Sequence, residues 1–133
     1  MLPDFVHLRL HSEFSLVDGI VRLKPLVKKL LSQHVPAIAV TEHVNLFSLV
    51  KFYRAAQGAG IKPIIGADVL IYNPEEPVNP FTLTLLVKNK LGYITLTELI
   101  SKAYQEGQHQ GVPMVQMEWL ATNHDGLIVL SGA

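Results

Sequence analysis

The residues of this sequence that could do chemistry are histidines and carboxylates near the ends of apolar runs. They are His7, His11, Asp18, Glu42, His43 and Asp68. Imidazole nitrogen and carboxylate oxygen together suit zinc, manganese or iron, and ligands from several strand ends can converge on one ion. Their spacing is irregular and matches no local ligand motif, so the residue types alone make a metal site one hypothesis among several.

Arg9 argues against that hypothesis. FVHLRLH (residues 5–11) is a predicted strand. Arg9 lies between two histidines, His7 and His11, on the same face of this strand. A guanidinium is always protonated and has no lone pair to donate, so it would repel a divalent cation. We expect it to pair with Asp18, Glu42 and Asp68 instead, which would neutralise an acidic cluster without an ion.

Structural roles explain several of these residues equally well. His7 could face the core or take part in a cap, and Glu42 could be an N-cap partner for the helix that follows it. Ser12 and Ser15 lie near His11, but a serine and a histidine in one loop are more typical of a turn hydrogen-bond network than of a nucleophile. The residue pattern leaves these alternatives open.

Strand and helix periods alternate along the chain, which indicates an α/β fold. Strands are predicted at 5–11, 36–43, 61–72, 81–89 and 126–132, and helices at 22–35, 45–60, 92–107 and 116–123. This alternation predicts mainly parallel strands with covering helices, either as an open doubly wound sheet or as an arc of a β/α barrel. The candidate residues then fall near strand ends, at the mouth where ligands bind in such folds.

The composition is that of a folded domain without a strong electrostatic partner. Apolar residues make up 49% of the 133 residues, which is enough for a core. The 11 basic and 11 acidic residues cancel, and a neutral chain is a poor clamp for nucleic acid. No cysteine is present, which excludes thiolate chemistry. The start lacks a signal-peptide pattern and no apolar run is long enough to span a bilayer, so we expect a cytoplasmic protein.

Six stretches, taken in order, resemble one family. They are FVHLRLHSEFSLVDG, PLVKKL, PAIAVTEHVNLFSLVKFY, GAGIKPIIGADV, LTLLVKNKLGYITLTELISKAY and GLIVLSG. Together they resemble the start of the alpha (catalytic) subunits of bacterial DNA polymerase III, whose opening region is a PHP domain. The resemblance implies a distorted β/α barrel that holds three metal ions in intact members. A full PHP domain is roughly twice this length, so we expect residues 1–133 to be the N-terminal portion of one, within a longer polymerase chain.

The resemblance also assigns metal-ligand positions of the family to residues of this chain. The opening His-x-His motif corresponds to Arg9 and His11, so the first ligand is lost and the second is kept. The acidic residue of the Asp-Gly turn is kept as Asp18. The Thr-Asp-His motif appears with Glu42 in place of aspartate and with His43 retained.

Three further positions follow from the same resemblance. Asp68 stands where a glutamate is usual, Thr82 where a histidine is frequent, and Ala133 where a cysteine is frequent. Arginine, threonine and alanine cannot coordinate a metal well, so the resemblance implies a degenerate pocket. Its members are Arg9, His11, Asp18, Glu42, His43, Asp68 and Thr82.

A degenerate pocket implies a catalytically inactive module with a structural and partner-docking role in DNA replication. The implied partners are the proofreading exonuclease subunit and the other polymerase III holoenzyme subunits, with DNA held by the parent chain rather than by this piece. No cofactor is predicted for this piece, and magnesium belongs to the polymerase domain of the parent. The isolated piece is expected to self-associate, since half a barrel exposes strand edges and apolar surface.

Two other readings remain. The first is a metal-dependent phosphoesterase or 3′–5′ exonuclease, with zinc or manganese held by His11, Asp18, His43 and Asp68 and activating a water for attack on phosphorus. The second is an unrelated α/β domain whose polar residues only cap strands and helices. Arg9 and Thr82 argue against the first, and the ordered resemblance over most of the chain argues against the second.

Overall fold

Four helices and six strands follow one another in the structure, a computed structural model that describes residues 5–132. The helices are α1 (Leu23–Ser32), α2 (Leu49–Gly58), α3 (Lys90–Glu106) and α4 (Met117–Thr122). The strands are β1 (Ala37–His43), β2 (Lys62–Ile71), β3 (Phe81–Val87), β4 (Gln108–His109), β5 (Val112–Pro113) and β6 (Leu127–Ser131). The alternation of strand and helix periodicities therefore predicted all four α-helices and the strands β1, β2, β3 and β6. It did not predict the β4–β5 hairpin, a short 3-10 helix or the conformation of residues 5–11.

The main sheet has the strand order β1-β2-β3-β6 and is mixed. β1 and β2 are parallel, whereas β2 with β3 and β3 with β6 are antiparallel. The predicted α/β class with covering helices is confirmed, but the mainly parallel pairing holds only for β1–β2 within this sheet. The reason is the proline-punctuated loop 73–80, which returns the chain directly as a hairpin instead of through a crossover helix.

The helices cover one face of the sheet and bury two adjoining apolar clusters. α1 and α2 pack on Ile38 and Val40 of β1. Phe52, on α2, is fully buried in this cluster. α3 packs on the β2–β3 part of the sheet, where Val69 and Leu85 are fully buried. The spacing of apolar residues in these helices matches the buried stripe of an amphipathic helix, which explains why they form here.

The other face of the sheet carries two different kinds of side chain. Its apolar end is an open groove of about 450 Å³, lined mainly by Leu8, Ile64, Leu86, Ile128 and Leu130. Its polar end lies where β1 finishes and holds the residues of the candidate site. Side chains alternate between the two faces along every strand, so each candidate residue is assigned to a face by its position.

The opening segment is extended but is not a full strand, which corrects the prediction for residues 5–11. It makes one isolated parallel bridge, between His7 and Ile38, and its carbonyls at His7 and Leu10 accept hydrogen bonds from the β1 amides of Ala39 and Thr41. These contacts lay the segment along the edge of β1. They bring the side chains of the opening segment to the polar end of the sheet.

Candidate functional site

Sheet register builds the centre of the site. Asp68 lies opposite His43 in the parallel β1–β2 pair and opposite Thr84 in the antiparallel β2–β3 pair. Residues that face each other across neighbouring strands point to the same side of the sheet. His43, Asp68 and Thr84 therefore form one row across three strands, on the face that the helices leave uncovered.

Asp68 is the fully buried acceptor at the middle of this row. Its Oδ2 atom accepts from Arg9 Nε at 2.6 Å and lies 2.5 Å from His11 Nε2, and its Oδ1 atom accepts from Thr84 Oγ1 at 2.5 Å. The Asp68 side chain is 0% exposed, whereas that of Arg9 is 45% exposed. A buried carboxylate needs compensation of this kind, because an uncompensated charge in the interior is strongly unfavourable.

His11 joins two carboxylates. Its Nε2 atom contacts Asp68, and its Nδ1 atom lies 2.8 Å from Asp18 Oδ2. Each ring nitrogen of His11 thus faces a carboxylate oxygen, one on the loop after the opening segment and one on β2. With Arg9 the network joins two basic side chains to two carboxyl groups.

Asp18 is the solvent-facing end of the network. The hydrogen bond with His11 lowers the pKa of Asp18 below its ordinary value of 3.8, and the nearby charges of His11 and His43 act in the same direction. Slight burial of the carboxyl group opposes this lowering. The His43 ring lies beside that of His11, with 6.2 Å between the ring centroids.

The loop that carries Asp18 is held against the opening segment. A short 3-10 turn, Glu13–Ser15, begins with Ser12, whose hydroxyl accepts from the Phe14 amide. Gly19 passes so close to this turn that a Cβ atom would lie 1.6 Å from the Ser12 carbonyl oxygen. A side chain cannot fit there, so the Asp-Gly turn needs glycine for a steric reason.

Glu42 lies outside this network, which corrects the expectation that Arg9 pairs with it. Glu42 precedes His43 in β1 and so points to the opposite, helix-covered face of the sheet. There it is buried and accepts hydrogen bonds from three serine hydroxyls and one amide. The donors are Ser12 N, Ser12 Oγ, Ser15 Oγ and Ser48 Oγ. The two serines of the loop thus form the predicted turn network rather than a nucleophile.

The remaining candidates have different positions. Thr82 lies opposite Leu70, one step along the sheet from the Asp68 row, and Thr84 makes the contact with Asp68. His7 is exposed and stacks edge-on against Phe5, so it neither faces the core nor joins the site. Ala133 lies outside the described residues.

Sequence reasoning missed Thr84 and Ser48. Thr84 could have been found, because it is two residues from Thr82 and therefore shares its face of a strand. Ser48 had no comparable signal, since its role depends on how the turn after β1 folds back over Glu42.

The donor set does not fit a divalent cation. Both oxygens of Asp68 already accept hydrogen bonds, and the oxygen that faces His11 also faces the Arg9 guanidinium. Within residues 5–132, no three His, Asp, Glu or Cys side chains are arranged as metal ligands. The arrangement holds charged groups in place around Asp68, and an ion at Asp68 would have to displace Arg9 or His11.

Comparison with known proteins identifies the family. The family model for the PHP domain matches residues 7–133, which is nearly the whole chain. This chain belongs to the PHP domain family. The predicted resemblance and the predicted partial PHP-type barrel are therefore confirmed.

Curated relatives of this PHP domain are DNA polymerase III alpha subunits. The chain is 54% identical over its whole length to the subunit of Pseudomonas fluorescens, 51% identical over 98% of its length to that of Vibrio cholerae, and 48% identical over 98% to that of Escherichia coli K12. In each case it spans only 11% of the relative. The relatives are thus much longer proteins, of which this chain corresponds to one small part.

Two solved structures share the fold of this chain. One is a metal-dependent phosphoesterase homologue from Bifidobacterium adolescentis. It aligns with a TM-score of 0.58 at 12% identity, over 79% of this chain and 35% of its own. An amidohydrolase from Chromobacterium violaceum aligns with a TM-score of 0.58 at 17% identity, over 75% of this chain and 33% of its own. At such identities the likeness concerns the fold alone.

Among the helices of residues 5–132, none combines the length and the apolar character needed to cross a bilayer.

Proposed function

We propose that this PHP domain is the N-terminal region of a replicative DNA polymerase III alpha subunit and acts there as a catalytically inactive structural and partner-docking module. The high identity to alpha subunits over nearly the whole chain supports the parent protein. In this proposal the chain works in the cytoplasm and in DNA replication. DNA and magnesium are bound elsewhere in the parent chain.

The observation that carries the inactive role is the set of partners of Asp68. This buried carboxylate is compensated by Arg9 and His11 and accepts from Thr84 as well. A metal centre needs such a carboxylate to offer its lone pairs to the ion. Here those lone pairs face protein groups, so the Arg9 guanidinium, with His11 beside it, takes the place of metal charge and keeps the polar end of the sheet together.

The docking role follows from the absence of hydrolytic activity that is proposed for this domain. A polymerase whose PHP domain cannot hydrolyse phosphodiesters needs its proofreading from another chain. The proposed partners are the proofreading exonuclease subunit and other polymerase III holoenzyme subunits. The relation of this chain to alpha subunits supports membership in that assembly.

A second candidate is a metal-dependent phosphoesterase or 3′–5′ exonuclease. The observation in its favour is that four ligand-type residues do come together at one end of the sheet. They are His11, Asp18, His43 and Asp68. In that case zinc or manganese would have to displace Arg9 from Asp68 before a bound water could be activated.

Metal content separates the two candidates. The purified protein is dialysed against trace zinc and manganese, and its metal is measured by inductively coupled plasma mass spectrometry. Hydrolysis of p-nitrophenyl phosphate esters and of 3′-labelled single-stranded DNA is measured on the same samples. The inactive module is expected to hold near-zero metal and to hydrolyse neither substrate. Stoichiometric metal with hydrolysis would overturn it and establish the second candidate.

The docking role needs its own measurement. Complex formation between the alpha subunit that carries this sequence and its cognate proofreading exonuclease is followed by analytical size-exclusion chromatography. Arg9→Ala is compared with Arg54→Ala, which removes an exposed arginine on α2 that makes no ion pair within the described residues. We expect Arg9→Ala to weaken the complex and Arg54→Ala to leave it intact. If both variants formed the complex equally well, docking would not depend on the charge network around Asp68.

A further inference from the structure

Val44 has a backbone conformation that valine rarely adopts. Its φ angle is +48°, in the left-handed region, and its side chain is only 2% exposed. For a residue with a branched Cβ this region is a genuine outlier, because Cβ and its substituents crowd the neighbouring backbone. Such a conformation persists only where the surrounding structure over-determines it.

Two long-range hydrogen bonds hold the backbone of Val44. Its amide donates to the carbonyl of Asp68 at 2.8 Å, and its own carbonyl accepts from the phenol of Tyr104 at 3.0 Å. Tyr104 is 60 residues away in sequence and lies near the end of α3. The strained residue is thus fixed on one side by the site strand and on the other by a helix.

Other restraints in this turn do not reach the Val44 carbonyl. The Asn45 side chain donates to the carbonyls of Phe14 and His43 and accepts from the Phe47 amide. These bonds fix the residues on either side of Val44. Among the hydrogen bonds of the described residues, only the one from Tyr104 is made to the carbonyl of the strained residue itself.

We propose that the Tyr104 hydroxyl is a positioning group, which keeps Val44 in its left-handed conformation and thereby places His43 beside His11. His43 directly precedes the strained residue, so relaxation of Val44 to a negative φ would change the direction in which the chain leaves β1. The inference holds for an inactive charge network and for a metal centre alike, because it concerns only the backbone that carries His43. It couples α3 to the candidate site, although α3 lies on the opposite face of the sheet.

Hydrogen–deuterium exchange tests this coupling in the full-length protein that carries the sequence. Tyr104→Phe removes only the hydroxyl. Tyr93→Phe is the matched control, since Tyr93 is a tyrosine of similar exposure on the same helix and its phenol makes no hydrogen bond within residues 5–132. We expect exchange in peptides covering residues 41–48 to become about fivefold faster in Tyr104→Phe, as for loss of one hydrogen bond. Tyr93→Phe and peptides from α1 should be unchanged.

Two substitutions at Val44 separate a positioning role from a merely structural one. Val44→Ala shortens the buried side chain but keeps a Cβ atom, whereas Val44→Gly removes the penalty of the left-handed conformation. Adding Tyr104→Phe should therefore accelerate exchange about fivefold in the Val44→Ala background. In the Val44→Gly background the same addition should have less than a twofold effect, because glycine adopts this conformation without help.

Three outcomes would overturn the proposal. Unchanged exchange at residues 41–48 in Tyr104→Phe would show that the phenol does not hold the turn. Equal acceleration in peptides from α1 and from the turn would show a loss of overall stability instead of local positioning. An equal effect of Tyr104→Phe in the Val44→Gly and Val44→Ala backgrounds would show that backbone strain is not what the hydroxyl restrains.

Discussion

The Arg9 guanidinium donates from Nε to the Oδ2 atom of Asp68 at 2.6 Å, across 59 residues of sequence, and the carboxylate it reaches is fully buried. This contact joins the opening segment to the second strand of the sheet. It also places a permanent positive charge on an oxygen that a metal ion would need. In this arrangement the stability of the domain depends on the Arg9–Asp68 pair.

Replacing Arg9 tests that dependence. Arg9→Ala is expected to lower the free energy of unfolding by about 1–2 kcal/mol, less than for a fully buried pair because the arginine is half exposed. Arg9→Lys should recover only part of the loss, since an ammonium keeps the charge but lacks the guanidinium geometry. Urea unfolding followed by circular dichroism measures both, with Arg54→Ala as control. An unchanged unfolding midpoint for Arg9→Ala would refute the idea that Arg9 stabilises the domain by compensating the buried charge of Asp68.

The Asp18 carboxylate should make the stability of the domain depend on pH. Its pKa is lowered in the folded protein, chiefly by the hydrogen bond with His11, relative to an ordinary value of 3.8. The stabilisation is then fully present above the unfolded-state pKa and is lost as the pH falls through the lower folded-state pKa. Asp18→Asn should therefore be less stable than the wild type near pH 6 and should approach it below about pH 3.8. Thermal melts of both proteins across pH 2.5 to 7 measure this, and a constant difference over that range would contradict it.

Glu42 is expected to be structural, because serine hydroxyls and one amide surround its buried carboxylate. Glu42→Gln places an amide NH₂ group against donors and should lower the free energy of unfolding by about 1–3 kcal/mol. Ser48→Ala removes one donor and should cost about 1 kcal/mol. Glu76→Gln, in the exposed loop before β3, is the control and should change little. Denaturant unfolding of the three variants measures these differences. If Glu42→Gln left the free energy of unfolding unchanged, the negative charge of Glu42 would not be needed to hold the serine hydroxyls.

The isolated 133-residue chain should self-associate through β6. This strand pairs only with β3 within the described residues, and Ile128 and Val129 are exposed along it. An open apolar edge of this kind recruits other strands, and a lysine on it is an effective block. Light scattering should show oligomers for the wild type and a smaller mass for Val129→Lys, with Val50→Lys on α2 as the matched control. A clean wild-type monomer would mean that the β6 edge is protected in solution.

Local patterns in the chain were enough to predict the main helices and strands and the family. Apolar spacing in 22–35 and 92–107 predicted α1 and α3, because an amphipathic stripe is a local property of the chain. Six ordered stretches carried the resemblance to the PHP family, and the family match over residues 7–133 confirmed it. Alternation in β1 also implied that Glu42 and His43 point to opposite faces, although the prediction placed both in one pocket.

Which charged side chains meet depends on how the chain packs. The sequence contained Arg9, Asp18, Glu42 and Asp68, but it did not show that Arg9 reaches Asp68 while Glu42 is enclosed by serines on the other face. Those partners come from strand register and from the fold of the loop around Gly19, which depend on contacts many residues apart. Pairing across a sheet is a non-local property, so side-chain types can suggest a polar pocket while the packing of the whole chain chooses its members.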